Sequence, residues 1–297
     1  MKKLPPQIDV PESAEEVTAQ VKRLLRAAEV GNEVPTAKSA ILACAELVET
    51  GELDLRDYEA SFKDKARGFF YRAMSKVYGF LDRRTQLIYV DSQLHDSRKL
   101  FVTYHEVTHR VLPWQNVVYT EDDEVTLSAN CRTLFEAEAN FGAAEILFQC
   151  NRFEEEARDY ELSITSALYL ANRYDASCHS ALRRFVERNH RPCLLLVLKP
   201  TARQNTDGAT SYFIAYSIRS SAFTLEFGEP IRELFLNPED DLGKIVNSGL
   251  QGEIVLEDIK GIRKLCSVEC FSNMYHTFVL IHPKHQSPRR IVVRSYN

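Results

Sequence analysis

Hydrophobic positions recur at three- and four-residue spacing through the first two thirds of the chain and at every second residue after about position 193, which predicts a helical region followed by a strand-rich one. Ser13 and Glu16 have the spacing of a capping box and open a helix that stops near Gly31. A second helix is expected from Thr36 to Gly51 and a third from about Arg56 to Ser75. In "KVYGFLDRRTQLIYVD" two short apolar runs flank the polar turn "DRRT", the pattern of a hairpin whose second strand is Gln86 to Val90. A helix of about sixteen residues, roughly 24 Å, should then run from Asp96 or Ser97 to a stop at Pro113. Another long one runs from about Ser128 to Phe148. Its small residues Ala137, Ala139, Gly142, Ala143 and Ala144 would let a neighbouring helix approach closely, so these two are expected to pack together.

From Asp159 to His190 the pattern is helical again, with a tight break between Tyr174 and Ser177 and Ser177 placed to cap the second half. Beyond it, "CLLLVLK", "SYFIAYSIRS", "FTLEF", "EIVLEDI", "HTFVLIH" and "RRIVVRSY" are strand candidates. The fold class expected is α+β and multidomain. A mainly helical domain with a small β-hairpin or sheet spans 1–152, a helical segment 153–191, and a strand-rich α/β domain 192–297.

Composition narrows the class. Of the 297 residues 44% are hydrophobic and 27% charged, with only 11 Gly and 11 Pro, as in folded globular proteins rather than disordered ones. The net charge of −5 argues against a chain devoted to wrapping nucleic acid, which requires a basic surface. No stretch has the length of a membrane span or a signal peptide, so a cytoplasmic protein without membrane contact is expected. Seven cysteines, an odd number, are scattered as reduced thiols would be, and the Cys266–Cys270 spacing is not that of a usual zinc knuckle.

The candidate chemistry sits in "FVTYHEVTHRVLPWQ", Phe101 to Gln115. On a helix, His105 and His109 share one face and can both turn an imidazole to one cation. Glu106, one residue round, would reach the attacking water rather than the metal, which is the general-base arrangement of a zinc peptidase. A catalytic zinc needs three protein ligands and an open position. Glu136 on the following helix could supply the third ligand, and Asn140, one turn further, could accept a hydrogen bond from the far nitrogen of a ligand histidine. Glu138 is the rival, facing nearly the opposite side.

The succession of hairpin, "FVTYHEVTHRVLP" and "FEAEANFGAAEIL" resembles the ImmA/IrrE family of metallo-endopeptidases over about residues 10–150. The resemblance implies a zincin-like domain with metal ligands His105, His109 and Glu136, the base Glu106, and Asn140 behind a ligand. Two departures from the family pattern are Gly142 in place of the alanine after Phe141, and "EVTH" in place of "E-[LI]-[GA]-H". An oxyanion donor is not fixed by the motif, and Tyr119 is the candidate. In this family the strand before the active-site helix is expected to line the cleft. Hence "QLIYV" either adds an extended substrate as a strand or is an internal strand. The acidic run Thr120 to Glu124 is either a solvated loop or a lure for a basic substrate.

The segment "SALYLANRYDASCHSALRRFVER" resembles a helix-turn-helix, and Arg183, Arg184, Arg188 and Arg191 would give its second helix a basic side for DNA or a partner. With six Arg against four acidic residues from Arg158 to Arg191, a structural or partner-binding role is favoured over DNA binding. The carboxy-terminal strands resemble the GAF-like sensor domain of long family members. The resemblance thus implies a zinc-dependent endopeptidase, with Mn2+ or Fe2+ as other candidate ions. Its implied substrate is a protein, an Xre-type helix-turn-helix transcriptional repressor whose cleavage would release a stress-response or mobile-element programme. The alternative is a DNA- or partner-binding regulator in which the metal site is a sensor or relic.

Overall fold

The computed structural model describes residues 10–31, 33–49, 79–83, 85–121, 129–204, 210–231, 235–249 and 251–284. The chain divides into two compact units. One runs up to Tyr160 and takes in Leu168–Ala181; the other consists of Glu161–Ala167 and the chain from Leu182 onward. The helical segment 153–191 contributes to both.

In the first unit, helix α1 (Ala14–Ala27) buries Val17, Val21, Leu24 and Leu25, one helical face. Ser13 stands at its N-cap without making a cap bond, because its hydroxyl donates instead to the Glu138 carboxylate. The capping box read from Ser13 and Glu16 is therefore not formed. Helix α2 (Lys38–Cys44) ends well short of Gly51. Glu46 takes a left-handed φ of 57°, and Val48–Glu49, strand β1, pairs in parallel with Leu87–Ile88. Strand pairing across the fold replaces the last part of the expected helix, since a pairing partner outweighs a weak local propensity.

Strands β2 (Gly79–Asp82) and β3 (Leu87–Val90) form the expected antiparallel hairpin, and the sheet order is β1-β3-β2. With neighbours on both sides, β3 is the internal strand of the two readings. The helix expected at 56–75 lies outside the described residues.

Helix α3 (Asp96–Val111) follows, capped by His95, whose Nδ1 accepts from the Ser97 amide at 3.4 Å. Pro113 ends it but also opens helix α4 (Pro113–Glu121), taking the first helical position, where its missing N–H costs nothing. Helix α5 (Ala129–Leu147) packs against α3. Where they meet at Gly142, a β-carbon would lie 2.4 Å from Thr108 Cγ2, so only hydrogen fits there. Gly142 and the Thr108 of "EVTH" are thus in contact with each other: the methyl missing at 142 is the room that the Thr108 side chain occupies.

Thr36, just before α2, ties the helix pair. Its carbonyl accepts from the buried Tyr104 hydroxyl of α3 at 3.0 Å, and its own hydroxyl donates to the Ile146 carbonyl of α5 at 3.1 Å. Beyond α5, helix α6 (Arg152–Ala157) brings Phe153 edge-on to Phe148 and to Tyr174, with ring centroids 4.7 and 5.2 Å apart. Helices α7 (Ile164–Arg173) and α8 (Cys178–Glu187) are separated at Asp175, which has φ 50°. Ser177 caps the second by accepting from the Ser180 amide at 3.1 Å.

The second unit is built on one antiparallel sheet of order β6-β5-β4-β9-β8-β7. Its elements are β4 (Leu194–Gln204), β5 (Thr210–Arg219), helix α9 (Ser221–Phe227), β6 (Phe235–Leu236), helix α10 (Asp241–Ser248), β7 (Gly252–Glu257), β8 (Arg263–Ser272) and β9 (Thr277–Pro283). Leu194, Leu196, Val279, Ile281, Cys266 and Val268 form a core with Phe223 and Phe227 of α9 and Leu242 and Val246 of α10. Leu195 and Val197 are fully buried as well, which is why β4 reads as an unbroken apolar run. "FTLEF", expected as a strand, is helical. Ser220 caps it, with Oγ accepting from the Phe223 amide at 3.1 Å; Gly228 ends it at φ 63°, and Phe223 and Phe227 stack on one face. "RRIVVRSY" lies outside the described residues.

The seven cysteines are free thiols. Cys266 and Cys270 sit four residues apart on β8, about 13 Å along a strand, too far to share a metal or a disulfide. Burial pushes both thiols up to about 11.

Candidate metal centre

One turn apart on α3, the His105 and His109 rings stand edge to face with centroids 4.8 Å apart and Nε2 atoms 3.2 Å apart. Close packing of α3 on α5 brings Glu136 to them. Its Oε2 is 3.3 Å from His105 Nε2, and its Oε1 is 3.6 Å from His109 Nε2. The three residues' ligand atoms all lie within 4.8 Å of one another. The imidazoles are largely covered while the Glu136 side chain is 60% exposed, so the cluster opens to solvent on the carboxylate side.

Each far ring nitrogen meets an amide oxygen. His105 Nδ1 is 3.1 Å from Asn140 Oδ1, and His109 Nδ1 is 2.7 Å from Gln115 Oε1. A neutral imidazole facing such an acceptor carries its proton on Nδ1, leaving the Nε2 lone pair directed away from it. Two lone pairs and a carboxylate therefore converge, an arrangement that only a cation or shared protons can stabilise. The charges bear this out. The two imidazoles hold the Glu136 carboxyl far below the usual carboxylate range, against the opposing effect of burial. Burial would pull the His109 imidazole down, yet Glu136, Glu106 and Gln115 together raise it above its ordinary value. Glu106 itself is only 7% exposed, on α3 between the two histidines.

Glu138, two residues from Glu136, is turned inward and 2% exposed. It accepts from Gln115 Nε2 at 2.7 Å, from Trp114 Nε1 at 2.9 Å and from the Ser13 hydroxyl. Sequence reasoning missed Gln115, Trp114 and Ser13 as parts of the site, since they lie on other elements and match no spacing rule. Arg83, in the hairpin turn, was missed too; it donates to Asn116 Oδ1 at 2.6 Å and to the His109 carbonyl at 3.4 Å, against the end of α3. Tyr119 falls in α4, its side chain outside the described part, as are residues 122–124 of the acidic run.

Of the arginines expected to meet DNA or a partner, Arg184 is buried at 7% exposure, which removes it from any such surface. Arg183 pairs with Glu187 of its own helix at 3.4 Å, whereas Arg188 is exposed. Among the described residues no helix is long and apolar enough to cross a membrane.

A helix offering two histidines to a carboxylate on its neighbour, beside a small hairpin sheet, makes a candidate metal centre. Residues 53–186, somewhat under half of the chain, match the family model of the IrrE N-terminal-like domain, a peptidase family. It is similar to the Radiation response metalloprotease IrrE of Deinococcus deserti, at 23% identity over 167 residues, 54% of this chain. The match takes in 59% of that relative's own length. Among solved structures, a Mycobacterium tuberculosis transcriptional regulator matches 90% of this chain and 75% of its own, with a TM-score of 0.50 and 12% identity, a likeness of fold alone.

Proposed function

We propose that the protein is a zinc-dependent endopeptidase that cleaves a helix-turn-helix transcriptional repressor of Xre type. The observation that carries the metal reading is the convergence of His105, His109 and Glu136. A tetrahedral zinc with bonds of about 2.0–2.2 Å sets its ligand atoms about 3.3–3.6 Å apart; here the Nε2 atoms are 3.2 Å apart and each lies 3.3 or 3.6 Å from a different oxygen of the Glu136 carboxylate. The donor set fits the ion, with both tautomers already set by Asn140 and Gln115. The same set would accept Mn2+ or Fe2+.

Bound there, the ion would polarise the scissile carbonyl and make water acidic enough to attack it at neutral pH. Glu106 would take the proton from that water and hand it to the leaving amine nitrogen. The choice of a repressor as substrate rests on the resemblance to the ImmA/IrrE family, and a stress-response or mobile-element programme is what its cleavage would release. Asn140 would serve by orienting His105, and Tyr119 remains the proposed oxyanion donor. The GAF-like reading of the second unit is supported by its single antiparallel sheet with α9 and α10 packed against it. A regulator acting through DNA contacts of the 167–191 segment is the weaker reading, given the burial of Arg184 and the pairing of Arg183.

The test is co-expression with candidate repressors. Glu106→Gln should abolish cleavage and leave zinc stoichiometry unchanged; undiminished proteolysis by that variant would refute the assignment.

A further inference from the structure

We infer that Glu138, acting through Gln115, locks His109 in the tautomer that leaves its Nε2 open to a cation, which makes Gln115 and Glu138 positioning residues of the site. The inference rests on the metal-site reading only for its consequence; the lock itself is a property of the metal-free protein.

The direction of the chain follows from donors and acceptors alone. Trp114 Nε1 is a donor only, and it points at Glu138 Oε2 at 2.9 Å. The Ser13 hydroxyl and Gln115 Nε2 also point at this carboxylate. An oxygen that already meets the donor-only Trp114 Nε1 serves as an acceptor there, so Glu138 Oε2 holds Gln115 by its amide nitrogen. That nitrogen lies 3.4 Å from the Phe135 carbonyl as well, a second acceptor that fixes the same orientation. A flipped amide would set its oxygen against both the carboxylate and the carbonyl. Gln115 must therefore present Oε1 to His109 Nδ1, at 2.7 Å, and only a protonated Nδ1 can meet it.

The geometry also explains why Glu138 is not a ligand although it stands two residues from one. It lies on the far side of His109 from Glu136 and reaches that histidine through one side chain. Four elements share the lock: the residue before α1, the first turn of α4, α5 and α3. His105 has a shorter version, a single amide from Asn140 on α5.

The experiment uses the full chain and two readouts. The first is nitrogen-15 NMR of the imidazoles in metal-free protein, at a pH above the imidazole range. The second is zinc affinity by chelator competition. In the unaltered protein His109 should show the Nδ1–H form. Gln115→Ala should mix the tautomers and weaken zinc binding about 10- to 100-fold. Glu138→Gln should do so to a lesser degree, by letting the Gln115 amide turn over. A His109 already in the Nε2–H form, or Gln115→Ala leaving tautomer and affinity unchanged, would each overturn the inference. An Nδ1–H tautomer in a protein that binds no zinc would instead overturn the metal reading and leave the lock standing.

Discussion

Gly142→Ala is the substitution whose outcome depends most directly on how closely α3 and α5 pack. The added methyl carbon would sit 2.4 Å from Thr108 Cγ2 and 2.9 Å from its Oγ1. Carbon atoms prefer about 3.5–4.0 Å, so more than 1 Å must be found. Thr108 is β-branched and its hydroxyl donates to the Tyr104 carbonyl at 2.8 Å, which leaves it few ways to turn. Overpacking of this kind costs about 1–3 kcal/mol, while alanine gains about 1 kcal/mol over glycine inside a helix. The net expectation is a loss of about 0–2 kcal/mol, and the site should loosen because Asn140 and Glu136 ride on the displaced helix. In Thr108→Ala the obstructing atoms are gone. The pair Thr108→Ala with Gly142→Ala should therefore show a favourable coupling of about 1–3 kcal/mol in a double-mutant cycle. The assay is denaturant unfolding of the four proteins, followed through the transition that zinc shifts, with zinc affinity measured alongside. If Gly142→Ala alone stabilises by the helix-propensity value and the cycle shows no coupling, the close approach of the two helices is wrong.

Replacing Glu136 by Gln should weaken zinc binding by well over tenfold and abolish cleavage, with the fold intact by circular dichroism; retained affinity would remove Glu136 from the ligand set. The metal-free protein should show an opposed pH dependence, read as melting temperature with and without zinc. The depressed Glu136 carboxyl contributes stability that is present above its unfolded value near 4.3 and lost as pH falls. The raised His109 contributes stability present below its unfolded value near 6.5 and lost as pH rises through the higher folded one. Their joint contribution is therefore largest between about pH 4.5 and 6.5. The gain from zinc should grow above that window, as the ligands shed their protons. Arg184→Ala should lower stability by more than 1 kcal/mol, as expected of a buried side chain, whereas Arg188→Ala should change it by less than about 0.5 kcal/mol. Equal and negligible effects would mean that Arg184 is not buried.

The pair of histidines was legible because four residues on an α-helix make one turn, so sequence spacing is already spatial proximity. Glu136 and Asn140 were legible for the same reason, once the second helix was recognised from its pattern. The errors have a common origin. The helix expected from Thr36 to Gly51 ends early because Val48 and Glu49 find a strand partner nearly forty residues away. The Ser13 capping box gives way to a carboxylate that is 125 residues distant in the chain. "FTLEF" alternates well enough for a strand, but Ser220 and Gly228 punctuate a helix whose two phenylalanines are four apart. In each case a contact or boundary outside the short apolar run decided between two conformations of similar local energy.

What the sequence alone determined is therefore the grouping with a helical period: His105 and His109 on one face, Glu106 beside them, and Glu136 and Asn140 one turn apart on the next helix. Tertiary structure decided which of two carboxylates, Glu136 or Glu138, faces the histidines and which supports them from behind. It also decided that Thr108 and Gly142 are two halves of one contact, that Arg184 is buried and that β3 is internal. These depend on where one helix rests against another and which strand lies beside which. Such placement is set by the packing of the whole unit, not by any spacing along the chain.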